Sequence, residues 1–193
     1  SGGTMASSDS FRIKVKGRQT HGAVPWGGVD PIVVAAQIVL GLQTIPSRQL
    51  DSTLTPSIIT VGKIQGGVRS NIIPDEVEML GTIRTFDNHV RQDIQVRMAR
   101  TASLIAESAG ATAAMEITSA IPVTVNHPAL TALMVPTLER LVGKDQLSVA
   151  PRMTTAEDFS YYQLQVPGLF IFLGVADPAD PTPAANHSPL FFA

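Results

Sequence analysis

The sequence predicts an α/β protein, and three observations lead there. Strands read at 11–17, 56–67, 75–86 and 112–118, the first and third from alternating apolar and polar residues. Helical stretches fall between them at 29–46 and 87–110. The resulting order over residues 11–118, β-α-β-β-α-β, is that of a four-stranded antiparallel sheet with two helices on one face. After Ile121-Pro122 the character changes, and 119–193 reads as the tail of an α/β domain whose other strands lie elsewhere.

Taken in order, "FRIKVKG" (11–17) has the period of a half-buried strand. The next helix has Asp30 as a cap and Pro31 at its first position, where a missing N–H costs nothing. Its circumference is apolar nearly all round, so both faces are expected to be covered, one by the sheet and the other by a partner. "PSIITVGKIQGG" is a strand ending in a glycine turn, and "DEVEMLGTIRTF" puts Val77, Met79, Gly81 and Ile83 on one face. Asp87 caps the second helix, whose apolar stripe is Val90, Ile94, Met98, Ala102, Ile105 and Ala109, and Gly110 ends it. Arg91, Arg97 and Arg100 on that helix read as a solvated face. "HPALTALMVPTLERLVG" is helical with an interruption at Pro136, and "QLSVAPRM" is a short strand. "TTAEDFSYYQL" opens a helix with Thr154 or Thr155 as cap, and "PGLFIFLGV" is an apolar strand buried on both faces. "ADPADPTPAANHSP" is a proline-rich loop. An uncovered sheet edge or helix face would make the first unit a natural dimerisation module.

Composition excludes several classes. With 44% hydrophobic and 16% charged residues, the 193-residue chain can bury a sizeable core. A net charge of −2 does not steer nucleic acid or an acidic membrane. No apolar run reaches the length of a membrane span, and the opening "SGGTMASSDS" lacks the order of a signal peptide. The absence of cysteine removes disulfides and thiolate chemistry, and a cytoplasmic location fits. The polar start and the apolar end "SPLFFA" suggest a piece of something longer.

The candidates for chemistry are few. Among the histidines His21, His89, His127 and His187, no two have the spacing of a local metal motif. His89 and His127, both at helix starts, read as surface residues. His187 follows a strand in a loop, where ligands sit in α/β proteins, although a turn-capping histidine reads the same. His21 lies in "GRQTHGAVPW", a stretch of small residues suited to bringing backbone close to something. Asn71 follows a Gly-Gly turn. Arg84 ends a strand, where its planar fork could hold a carboxylate or simply meet solvent. Glu157 and Asp158 are explained as helix-cap residues. A catalytic zinc takes about three protein ligands, and this chain offers one good candidate, His187.

The segments "FRIKVKGRQTHGAVPWGGVDPI", "GGVRSNIIPDEVEMLGTIRTF", "TAEDFSYYQLQVPGLFIFLG" and "NHSP", in that order and spacing, resemble the dinuclear metal amidohydrolases. That family includes hippurate hydrolases, auxin-conjugate hydrolases, aminoacylases and glutamate carboxypeptidase. The resemblance implies an inserted dimerisation (lid) domain at 11–118, a linker from the catalytic domain at 1–10, and the end of that α/β catalytic domain at 119–193. The N-terminal catalytic half, with most metal ligands and the glutamate base, would precede Ser1. It implies that His21 acts across a homodimer interface, its ring N–H stabilising negative charge on the scissile carbonyl oxygen in the partner's site. It further implies substrate contacts by Asn71, Arg84 and Gly168, with Arg84 on the carboxylate of an N-acyl amino acid. His187 matches a metal ligand, for zinc or manganese. Glu157 matches a family position without a derived role. The implied activity is cleavage of N-acyl amino acids by metal-activated water, with this chain inactive by itself. A non-catalytic dimerisation or binding module of the same fold is the alternative.

Overall fold

The structure, a computed structural model, describes residues 3–176 and 181–191. Its centre is an antiparallel sheet of β2 (Ser8–Lys16), β4 (Ser57–Gly66), β6 (Glu76–Thr85) and β7 (Thr112–Ile121). Their spatial order is β4-β6-β2-β7. Helices α1 (Pro31–Thr44) and α2 (Asn88–Ser108) cover one face. The predicted order and architecture are therefore present.

Alternation decides which side chains go inward. Phe11, Ile13 and Val15 lie opposite Gly81, Met79 and Val77, and these apolar side chains are buried. Between them, Arg12 pairs with Glu78 and Glu116, and Lys14 with Glu76, on the wet face. Complete burial of a side chain such as Ile13 or Met79 stabilises the fold by about 1.5–3 kcal/mol. Gly81 sits opposite Phe11 because nothing larger fits: a Cβ there would lie 2.4 Å from the Phe11 ring and 2.0 Å from the Thr60 carbonyl oxygen.

Asp30 caps α1 by accepting from the Ile32 and Val33 N–H groups, and Asp87 caps α2 through His89 and Val90. The stripe of α2 is buried at Ile94, Met98, Ala102 and Ala106, so it ends on Ala106 and not on Ala109. The arginines of α2 do not form one solvated face. Arg91 makes a forked ion pair with Asp9, whose side chain is fully buried, and Gln95 Nε2 donates to the same carboxylate at 2.7 Å. Arg97 pairs with Asp93 one turn earlier. α1 is covered on one side only; Ile32, Val33 and Leu40 stay exposed.

The stretch read as a linker holds two strands. β1 (Gly3–Met5) pairs with β8 (Thr124–Val125), and β2 begins at Ser8. Chain entry into the sheet unit and exit from it thus run side by side. Beyond β8, α3 (Pro128–Val142) continues through Pro136 without a break, and α4 (Phe159–Gln163) is a single short helix. It begins later than expected. Asp158 holds its N-cap position without a side-chain bond, so the cap assigned to Thr154 or Thr155 is not made there.

Two expected strands do not form. Residues 146–153 make only an isolated bridge, Met5 to Met153. Residues 167–175 run without ladder partners among the described residues, and Ile171 and Leu173 are exposed. A strand exists through its neighbours' hydrogen bonds, and apolar composition alone does not supply them. Part of the proline-rich loop (177–180) and the last two residues of "SPLFFA" lie outside the described residues.

Candidate functional site

His21 ends β3 (Thr20–His21), which pairs with β5 (Ile72–Ile73). The pairing sets Asn71 beside it, and the Gly22 N–H donates to the Asn71 carbonyl oxygen at 2.8 Å. A Cβ on Gly22 would come within 3.2 Å of that oxygen, so the two loops lie close together here. Both His21 and Asn71 are exposed, next to an open depression lined by Gln19, Thr20 and Ile72.

The ring of His21 has a defined sense. Its Nδ1 accepts the Ala23 N–H at 3.0 Å. An imidazole nitrogen that accepts carries no proton, so in the neutral ring the proton sits on Nε2. Backbone geometry therefore presents an Nε2–H donor to whatever approaches the loop. Sequence inspection identifies the histidine but not this tautomer, which depends on a two-residue turn.

Arg84 lies elsewhere. It stands eight residues along β6 from Glu76, roughly 26 Å at strand rise, at the end opposite the His21 loop. At that end Arg152 lies over the Phe86 ring and Asn88 accepts from the Val123 N–H. Gly168 belongs to the same end, sharing a cavity of about 230 Å³ with Asn88. Its carbonyl oxygen accepts from the His127 N–H, and a Cβ would lie 2.7 Å from the Gln163 side chain, which would have to shift to admit one. His187 is exposed on the late loop with φ +67, a left-handed conformation that a non-glycine residue rarely adopts. The structure thus joins His21 to Asn71 and does not bring Arg84 to them within one chain.

Of the other histidines, His127 caps α3, its Nδ1 accepting from Leu130, and His89 is exposed on α2. Among the described residues there is no cluster of three or more His, Cys, Asp or Glu able to hold a metal. Among the described residues no helix is long and apolar enough to cross a membrane. One feature of the His21 loop escaped sequence reasoning: Trp26 is 80% exposed on it. Its signal was available, a lone tryptophan in a Gly/Pro-rich turn.

Paired entry and exit strands, a sheet covered on one face by two helices and a histidine-bearing loop at its far end define the architecture of the first unit. The peptidase dimerisation domain of the M20 class matches residues 6–109, and the chain belongs to that family. It is 38% identical over 173 residues to an N-acetyl-L-cysteine deacetylase of Bacillus subtilis, covering 90% of this chain and 41% of that protein. It is 35% identical to thermostable carboxypeptidase 2 of Saccharolobus solfataricus, covering 98% of this chain and 48% of that protein. Among solved structures, a dinuclear metal-binding M20 peptidase of Bacillus subtilis superposes with a TM-score of 0.71 at 32% identity, over 88% of this chain and 41% of the other. The chain spans less than half the length of these relatives.

Proposed function

We propose that this chain is part of a metal-dependent amidohydrolase that cleaves the amide bond of N-acyl amino acids, and that its site is completed by a second copy. One observation carries this reading: His21 and Asn71 occupy one end of the sheet unit while Arg84 and Gly168 occupy the other. A substrate spanning a few ångströms cannot touch both ends of one chain, but it can touch the His21 end of one copy and the Arg84 end of another.

In this arrangement the His21 Nε2–H donates to the scissile carbonyl oxygen as negative charge develops on it. Asn71, whose backbone carbonyl bonds to Gly22 beside His21, shares that duty or holds the substrate. Arg84 forks onto the substrate carboxylate. His187 contributes one ligand to a metal pair, zinc or manganese, whose other ligands lie outside this chain. When bound, such a pair supplies a water acidic enough to attack near neutral pH.

The open surfaces support a homodimer. α1 packs over β6, β2 and β4, and α2 over β7 and β6. Ile32, Val33 and Leu40 of α1 are exposed, and so are Ile58 and Ile64 on the edge strand β4. An unpaired strand edge beside an apolar helix face is a ready surface for a two-fold partner.

Subunit mixing tests the reading in the full-length, metal-loaded protein. His21→Ala and Arg84→Ala homodimers are each expected to lose activity, the first by about a hundred- to a thousand-fold. Randomised mixing gives half heterodimers, each with one intact site, so roughly a quarter of wild-type hydrolysis of N-benzoylglycine should return. No recovery on verified mixing would place both residues in one copy's site and end this proposal.

A further inference from the structure

Thr20 precedes the histidine, and its side chain ties down the turn that follows. In that turn, His21 to Val24, the Val24 N–H donates to the His21 carbonyl oxygen at 2.8 Å, and the Ala23 N–H donates to His21 Nδ1 at 3.0 Å. The near end is held where Gly22 donates to the Asn71 carbonyl at 2.8 Å. At the far end the Val24 carbonyl oxygen accepts from the Gly27 N–H at 3.0 Å and from the Thr20 hydroxyl at 3.1 Å. Of these two bonds, that from Thr20 reaches back to β3, where Thr20 pairs with Ile73. The side chain is kept in this pose. Threonine is β-branched and has few χ1 choices, and it is half-buried beside two glycines. A Cβ on Gly28 would lie 2.5 Å from the Thr20 methyl, and one on Gly27 would lie 3.2 Å from its hydroxyl. The glycine pair after Trp26 therefore leaves the room that Thr20 occupies.

We propose that Thr20 is a positioning residue for His21: by tying Val24 to β3 it keeps the Ala23 N–H on Nδ1, and so keeps the ring proton on Nε2. This rests on the reading that His21 donates to the scissile carbonyl. A turn tied at both ends cannot swing its inner N–H away from the ring. With the Thr20 hydroxyl removed the far end loosens, the Ala23 N–H leaves Nδ1, and the neutral ring takes either tautomer. In the Nδ1–H form Nε2 accepts and has no proton to donate. Negative charge developing on the carbonyl oxygen then loses its donor in that share of the molecules. Thr20 acts only through the ring of His21.

The test uses the full-length, metal-loaded protein with Thr20→Val, which keeps the branched shape and removes the donor, and Thr20→Ser, which restores the hydroxyl. Thr20→Val should lower kcat on N-benzoylglycine by about tenfold with KM within about twofold, and Thr20→Ser should stay within about twofold of wild type on both. A second readout needs no turnover. Nitrogen NMR of the zinc-loaded protein with isotope-labelled histidine, in mildly alkaline buffer, reports which ring nitrogen carries the proton. The His21 signals, assigned by their loss in His21→Ala, should show the Nε2–H form alone in wild type and Thr20→Ser and a mixture in Thr20→Val. An unchanged tautomer in Thr20→Val would overturn the proposal, whether kcat falls or not. A mixed tautomer with wild-type kcat would uphold the hold of Thr20 on the ring and count against His21 as the donor to the carbonyl. A wild type that cleaves no N-acyl amino acid would end the amidohydrolase reading, and the nitrogen spectra alone would then decide the role of Thr20.

Discussion

The Asp9–Arg91 pair offers the sharpest test of what holds the sheet unit together. Asp9 has no solvent exposure; it accepts from Arg91 Nε at 2.9 and 2.8 Å, from Arg91 Nη2 at 2.7 Å and from Gln95 at 2.7 Å. Removing one partner of such a pair typically costs about 3–5 kcal/mol, because the other charge stays behind without compensation. Arg91 retains 16% side-chain exposure, so the stranded guanidinium can still find some water. Asp9→Ala therefore belongs at the low end, about 3 kcal/mol, and Arg91→Ala, which strands a fully buried carboxylate, at the high end, about 5 kcal/mol. The double variant leaves no charge behind, so it should cost less than the sum, with a coupling of about 2–3 kcal/mol. Urea unfolding followed by circular dichroism measures all three, and Asp9→Ala should lower Tm by about 6–12 °C in a chain of this size. Because the pair is shielded, raising salt to about 1 M should barely change the coupling. A loss below about 1 kcal/mol for Asp9→Ala, or strict additivity, would refute the claim that this carboxylate is held as a buried ion pair.

Three further outcomes are expected. Asp51 titrates below the ordinary carboxylate range, chiefly because the Thr53 hydroxyl donates to it at 2.6 Å and then because the Thr53 N–H does so at 2.9 Å. A carboxyl depressed by folding adds stability above its unfolded value and loses it as pH falls through the folded one. Thr53→Val should thus raise the Asp51 midpoint in an NMR titration, and an unmoved midpoint would contradict the assigned cause. Gly81→Ala should cost about 3 kcal/mol, the upper end of overpacking, since its Cβ would meet backbone at 2.0 Å; unfolding at a wild-type midpoint would show that the Phe11 contact is not tight. His187→Gly should hold stability level or raise it by up to about 1 kcal/mol, by relieving the left-handed backbone at φ +67. A measurable loss there would mean that the imidazole makes a stabilising contact in the folded protein.

Legibility followed the range of the interactions. Strand alternation and the Asp30 and Asp87 caps are local, and each appears where the sequence places it. The strand expected at 167–175 failed because burial on both faces requires neighbours that periodicity cannot see. Pro136 illustrates the opposite error. A mid-helix proline removes one hydrogen bond, and α3 runs on through it. In the candidate site, His21, Asn71, Arg84 and His187 are chemically conspicuous in one dimension. The separation of His21 and Asn71 from Arg84 is not, since it follows from the direction of β6 and the β3–β5 pairing.

By itself the sequence determined the β-α-β-β-α-β order, the inward face of β6 and the starts of α1 and α2, because these depend on residues only a few positions apart. Tertiary structure alone decided that Asp9 meets Arg91 across 82 positions, that the Ala23 N–H sets the proton of His21 on Nε2, and that His21 and Arg84 stand at opposite ends of one sheet. Hydrogen bonds and ion pairs of that kind require a folded backbone to bring their partners within about 3 Å, and no pattern along the chain encodes that approach.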